Sequence, residues 1–221
     1  MEEEGDLIFN KHNIFGIRLA SDGYGISFEK GKFRTPSKTF IYQFELNEKK
    51  DPKEKRISTG DVFSGSSVVA YKLNNFYQFK VALGQQFLIG GKGNKNGVAV
   101  TALYTGGLSL GIIKPYYLNV EDVNGNIYQK TFLQVINDTT PYQINGGAGF
   151  TVGWDHVSFK PGLNAKLAMR FDYGRFNQTV SAIEAGVTGE YYFGKIPIVY
   201  LVPERQFFFN GYVAILFGNR K

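Results

Sequence analysis

The chain contains no cysteine, only two methionines, one tryptophan and two histidines. Without cysteine there is no disulfide framework, no thiolate metal site and no cysteine nucleophile. His12 and His156 stand too far apart to present a metal-ligand spacing. No apolar run approaches the roughly 18 residues that a membrane-spanning helix requires. Long basic stripes are missing too: 25 Lys+Arg are interleaved with 19 Asp+Glu for a net charge of +6. That dispersion argues against nucleic acid as a partner. The start, Met1–Asp6, is acidic and has neither a basic nor an apolar leader region. What is abundant is glycine, at 27 of 221 residues, and aromatic side chains, at 16%. This composition is unlike a helical bundle, which is poor in glycine and rich in Leu, Ala and Glu.

Alternation with period two runs through most of the chain and predicts β-strands with two unlike faces. Phe15, Ile17 and Leu19 share one face over residues 13–20. After the turn signal Ser21-Asp22-Gly23, Tyr24, Ile26 and Phe28 alternate with Gly25, Ser27 and Glu29. Further runs lie at 40–46, 77–84, 98–105, 148–154, 165–173, 183–193 and 209–217, with a weaker, Ser-rich candidate at Phe63–Tyr71. This predicts about ten strands, with eight as the alternative, in one domain over residues 1–221 without internal repeat or linker.

The composition of the two faces decides which is wet. The polar face mixes Gly and Ala with isolated charges, and small residues at that density imply a confined space such as a narrow barrel interior. Arg18, Lys80, Lys166 and Arg170 are nearly balanced there by Glu29, Glu45, Asp172, Glu184 and Glu190. Enclosed ions must pair, because an unpaired buried charge costs several kcal/mol; the alternative is a set of exposed surface charges. The opposite face carries Phe15, Ile17, Phe79, Val81, Leu83, Leu167, Met169, Phe171, Val187, Val213 and Ile215, a lipid-facing set. Tyr24, Tyr104, Trp154, Tyr173, Tyr191 and Phe193 collect near predicted strand ends, as interfacial aromatic girdles do. The expectation is an all-β fold, a transmembrane antiparallel β-barrel with a filled lumen.

The last run, Gln206-Phe207-Phe208-Phe209-Asn210-Gly211-Tyr212-Val213-Ala214-Ile215-Leu216-Phe217-Gly218, resembles the closing strand of small outer-membrane β-barrel proteins of Gram-negative bacteria. It departs from their usual pattern by ending at Gly218-Asn219-Arg220-Lys221 instead of at the aromatic. That basic ending is similar to barrels of Bacteroidota-type bacteria. The resemblance covers most of the chain as pattern and singles out no specific family. It implies the cell outer membrane as location, a signal peptide removed ahead of the chain, lipid as partner, and other outer-membrane or periplasmic proteins as further partners.

With both termini in the periplasm, ten strands place Ser21–Gly23, Asn47–Gly60, Gly90–Asn96, Asp155–Gly162 and Lys195–Arg205 on the outer side. The irregular insertion at about 106–145 then falls on the periplasmic side, as a strand extension with a packing lid or as a plug or docking surface. Little chemistry is legible. Ser158 lies two residues beyond His156 and could share its face, next to Asp155, the minimum for a lipid hydrolase. Adjacent residues of a strand point to opposite faces, however. Glu184 and Glu190 could bind a cation, but Lys166 and Arg170 are simpler partners. Gly90-Gly91-Lys92-Gly93-Asn94-Lys95 lacks the Gly-Lys-Ser/Thr ending and the helix of a phosphate loop. No catalytic, cofactor or metal residues are assigned. The reading is a non-enzymatic envelope protein, an accessory or docking subunit of a larger complex. A narrow passive channel, a barrel lipid hydrolase and a soluble barrel binding an apolar ligand are the alternatives.

Overall fold

A computed structural model describes residues 9–58, 67–93, 97–174 and 178–221. The strands are β1 (Lys11–Ala20), β2 (Gly23–Thr35), β3 (Lys38–Lys49), β4 (Arg56–Ser58), β5 (Ser67–Val69), β6 (Asn74–Gly90) and β7 (Ala99–Pro115). They continue with β8 (Tyr117–Glu121), β9 (Ile127–Thr131), β10 (Gln143–Gly147), β11 (Ser158–Asp172), β12 (Thr179–Ile196) and β13 (Arg205–Arg220); the helix α1 (Phe132–Asn137) follows β9. Eight of these close a barrel in the order β1-β13-β12-β11-β7-β6-β3-β2. The closing seam pairs β1 with β13 antiparallel from His12↔Arg220 to Ala20↔Tyr212, so the barrel has no open edge. Burial alternates residue by residue along β1, β11 and β13, which is the two-residue period seen in the sequence.

The barrel therefore has eight strands, the lower of the two expected counts, and two alternating runs account for the difference. In the Phe63–Tyr71 candidate, Ser67–Val69 forms β5, which pairs with β4 in a ribbon outside the barrel; residues 63–66 lie outside the described residues. The run 148–154 is not a strand. Gly149 and Gly153 adopt φ values of 83° and 88°, left-handed geometry incompatible with extension, and Trp154–His156 makes a short 3-10 turn. Alternation there reflects glycine spacing and not a pleat.

Losing the first of those strands reverses the direction of everything between them. β6 descends toward the end that holds the termini and β7 rises from it. The apolar stretch at 106–115, expected to open the insertion, instead completes β7: it pairs with both β6 and β11. The excursion is thus Tyr116–Val157, and it stands at the far end of the barrel, opposite the termini, together with 50–58, 67–73 and 197–204. Its placement on the side of the termini is overturned. Residues 90–93, expected on the outer side, lie instead at the terminal end; residues 94–96 of that expected loop lie outside the described residues.

At the far end the excursion folds into a small dome. β8 lies between β10 and β9, and α1 follows. Leu118 and Val120 are buried with Val68 of β5, and Phe132, Val135, Tyr142 and Ile144 pack against them. The six-residue helix starts at Thr131 because a capping box satisfies two backbone N–H groups: the Thr131 hydroxyl accepts from Gln134 N, and the Gln134 side chain accepts from Thr131 N at 2.8 Å. Asp138, just past the helix, accepts from Lys130 at 2.5 Å and from the Tyr142 hydroxyl at 2.9 Å. The bond from Lys130 holds the Asp138 carboxyl below the usual carboxylate range, and Asp138 raises Lys130. A depressed acid stabilises above its unfolded pKa and a raised base below its own, so this tie acts fully between about pH 4 and pH 10. Amide protection factors of the α1–β10 segment, with the intrinsic pH dependence of exchange divided out, are expected to be flat across that window. Protection should fall below it as Asp138 protonates, and Asp138→Asn should remove the acid limb.

Candidate functional site: the filled lumen and its outer wall

Each strand turns one set of side chains inward, and most of the charged ones meet in a line with one branch. From the terminal end it begins with His12 Nε2, 3.0 Å from Glu29 Oε1. Arg170 grips Glu29 through two nitrogens at 2.8 and 2.7 Å and holds Glu184 through Nε and Nη2 at 3.0 and 2.7 Å. Glu184 leads to Lys166 at 3.6 Å, Lys166 to Glu45 at 3.1 Å, and Glu45 to Lys80 at 3.7 Å. Lys80 pairs with Glu190, which reaches Lys49 at 3.1 Å, and Lys49 ends the line on Asp22. Arg18 branches from Glu45 at 2.9 Å and lies 3.8 Å above the Tyr212 ring, whose hydroxyl donates to Glu184 at 2.6 Å. Placing Glu184, Glu45 and Glu190 each between cations offsets a desolvation cost of several kcal/mol per ion.

Eight of the nine residues expected to form an interior ion network belong to this line. Asp172 does not. It sits at the terminal mouth, paired with Arg220 and 3.5 Å from Lys92. The sequence reading missed His12, Asp22, Gln43, Lys49 and Gln78, all of which contact the network. For His12 a signal existed: it shares the even-numbered parity of Gly16 and Arg18 on β1. Its ring occupies space that a side chain at Gly31, its partner on β2, would fill.

Apolar side chains finish the filling. Phe76, Ile113, Tyr192 and Phe208 point inward at the far end, where Ile198 and Val199 of the 197–204 connection fold onto them. Phe76 and Phe208 stack at 5.6 Å. Toward the terminal end Ile14, Ile41, Leu103, Val180 and Leu216 form a second inward cluster. The cavity among Arg18, Asp22, Lys49, Gln78, Lys80 and Glu190 measures about 10 Å³, room for roughly one water molecule.

The outer wall is the reverse. The eleven residues assigned to a lipid-facing surface are exposed, from 36% at Val81 to 62% at Leu167, whereas Lys80 and Arg170 are 2% exposed. Half-exposing side chains of this size to water forgoes on the order of 1 kcal/mol each. Over eleven of them the sum is comparable with the whole stability of a domain. On β13 the outward positions run Phe207, Phe209, Gly211, Val213, Ile215 and Phe217. They cover roughly 33 Å along the strand, or about 25 Å of height at a tilt of roughly 40°. Tyr24, Tyr191 and Phe193 face outward toward the far end, and Tyr104 and Tyr173 toward the terminal end. Trp154 belongs to the excursion instead, stacked on Tyr77 at 5.8 Å.

Asp155 and His156 do meet, at 3.0 Å, because they sit in a 3-10 turn and not in a strand. Both side chains are largely in solvent, 73% and 64% exposed. Ser158 opens β11 opposite Ile113, and no hydrogen bond joins it to His156 among the described residues. The geometry assembles no nucleophile and base there.

A closed antiparallel barrel that is apolar outside and ionic within has the construction of a membrane-spanning β-barrel. No protein-family model matches the chain, and no curated protein matches it in sequence. Among solved structures it is similar to Neisserial surface protein A, NspA, at 10% identity and a TM-score of 0.45 over 96% of each chain. It is also similar to Ail, the attachment invasion locus protein of Yersinia pestis, at 10% identity and a TM-score of 0.44, covering 97% of this chain and 100% of Ail. Ail in complex with the heparin analogue sucrose octasulfate gives 11% identity and a TM-score of 0.41 over the same shares. At these values no functional residue is carried across.

Proposed function

We propose that this chain is a non-enzymatic β-barrel of the Gram-negative outer membrane, a closed scaffold that holds its dome at the outer surface as a docking element for another envelope protein. The observation that carries the membrane reading is the inside-out distribution of side chains: an ion line sealed in the lumen and an apolar wall on the outside. The filled lumen speaks against the passive channel, since the cavity among the network residues cannot pass a hydrated ion. Docking is supported by the dome, where Val123, Ile127, Leu133 and Ile136 are exposed at the end opposite the termini, with Leu201 of the 197–204 connection exposed at the same end.

Electrophoresis in SDS tests the barrel. The unheated protein is expected to migrate differently from the boiled one, and planar bilayers should record no conductance steps. Identical mobilities would overturn the membrane reading. For docking, copurification in mild detergent is expected to retain a partner that Leu133→Asp with Ile136→Asp releases without changing the unheated mobility. A protein that always runs as a lone monomer would count against the docking role.

A further inference from the structure

We propose that the outer rim of the barrel over β1–β3, at the terminal end, binds the anionic phosphate headgroups of the surrounding lipid leaflet. This rests on the membrane reading above. Lys11, Lys30, Lys32, Arg34 and Lys38 are all exposed there. Lys30 and Lys32 occupy alternate positions of β2 and so share its outer face about 7 Å apart, and exposed Arg34 follows at the register shift between Phe33 and Thr35. Lys11 on β1 is directly paired with Lys32. Like charges opposite one another on one face destabilise a sheet, so folding alone does not favour this arrangement. No ion pair to these cations occurs among the described residues. Apart from Asp172, which Arg220 and Lys92 hold at the terminal mouth, described side-chain carboxylates outside the lumen, such as Asp122, Asp155 and Glu204, belong to the far end of the molecule.

The height of the patch identifies its ligand. Phe28, the next outward residue above Lys30, begins the apolar wall of β2. Across the pair with β3, Lys30 stands beside Tyr42 and Lys32 beside Phe40. Cations interleaved with aromatics at the lower edge of an apolar band lie where lipid phosphates lie, with their stems along hydrocarbon and their charges in the headgroup layer. Glu2, Glu3, Glu4 and Asp6 precede Lys11 closely in sequence and are the competing occupant.

The full chain is reconstituted in phosphatidylcholine vesicles with and without phosphatidylglycerol, and retained lipid is measured by native mass spectrometry after gentle extraction. Phosphatidylglycerol is expected to be retained at least tenfold over phosphatidylcholine. Each basic residue near a charged surface contributes about fivefold, so replacing Lys11, Lys30, Lys32, Arg34 and Lys38 together by Gln should bring the two lipids near parity. Replacing the four lysines by Arg should keep the preference. On the unsubstituted chain the preference should fall as salt shortens the screening length from about 10 Å at 0.1 M to about 3 Å at 1 M. Equal retention of both lipids, a preference untouched by Gln or by salt, or one that emerges only when residues 2–4 and 6 are made amides would each overturn the proposal. Unheated mobility in the phosphatidylcholine vesicles separates the two readings. A chain that inserts but shows no preference sinks this inference alone, and one that inserts in neither vesicle sinks the membrane reading with it.

Discussion

Arg170→Met is expected to destabilise the barrel by roughly 3–5 kcal/mol, the cost of leaving buried charge without its partner. Arg170 holds Glu29 and Glu184 together through four hydrogen bonds of 2.7 to 3.0 Å. The two carboxylates are not equally dependent on it. Glu184 keeps Lys166 and the Tyr212 hydroxyl, whereas the remaining partner of Glu29 in the network is His12. The second substitution that should relieve the damage is therefore Glu29→Gln. The double variant is expected to be more stable than Arg170→Met alone, because it removes the orphaned charge while keeping a polar group for His12. Urea unfolding in detergent, followed by the loss of the unheated gel mobility, measures both. A single variant as stable as the parent would show that the network does not hold the lumen together. A double variant worse than the single would place the cost in packing, not in charge.

Leu167→Arg carries the second large effect, and it separates a wall in lipid from a wall in water. Leu167 faces outward between Tyr104 of β7 and Val187 of β12. An arginine near the middle of a bilayer costs about 2–4 kcal/mol in a barrel wall and about 0–1 kcal/mol near the interface. At an exposed position in water the same change stays within about 0.5 kcal/mol. Leu167→Arg is thus expected to weaken the barrel in vesicles by several times more than Ser181→Arg, which lies outward near the terminal rim of β12. Equal and small effects at the two positions would mean that the wall does not meet hydrocarbon.

Both experiments act on features with different standing in the sequence. Side-chain parity is local: the pleat turns neighbours to opposite faces, so Lys80 inward and Phe79 outward can be read from adjacent residues. The inside-out character of the barrel was legible for the same reason, since Gly, Ala and single charges on one face need a confined space. Strand number was less legible. Residues 148–154 alternate as cleanly as a true strand, yet the left-handed geometry of Gly149 and Gly153 takes them out of the sheet. Whether an alternating run becomes a strand depends on a partner at the right height, and that partner is distant in the chain. The other miscounted run, Phe63–Tyr71, carried the excursion to the wrong end of the molecule, because a strand counted ahead of it reversed every direction that followed.

Amino-acid order by itself determined which side chains look inward, which look outward and that the interior charges must balance, because the two-residue pleat and the cost of a lone buried ion act on neighbours and on totals. The order of the ion line could be decided only in three dimensions. Arg170 and Glu29 are 141 residues apart, and Lys80 and Glu190 are 110 apart. They meet because the stagger of eight paired strands sets their heights in the lumen. That stagger belongs to the closed barrel as a whole, since each register is constrained by the neighbouring pairs until the last strand returns to the first.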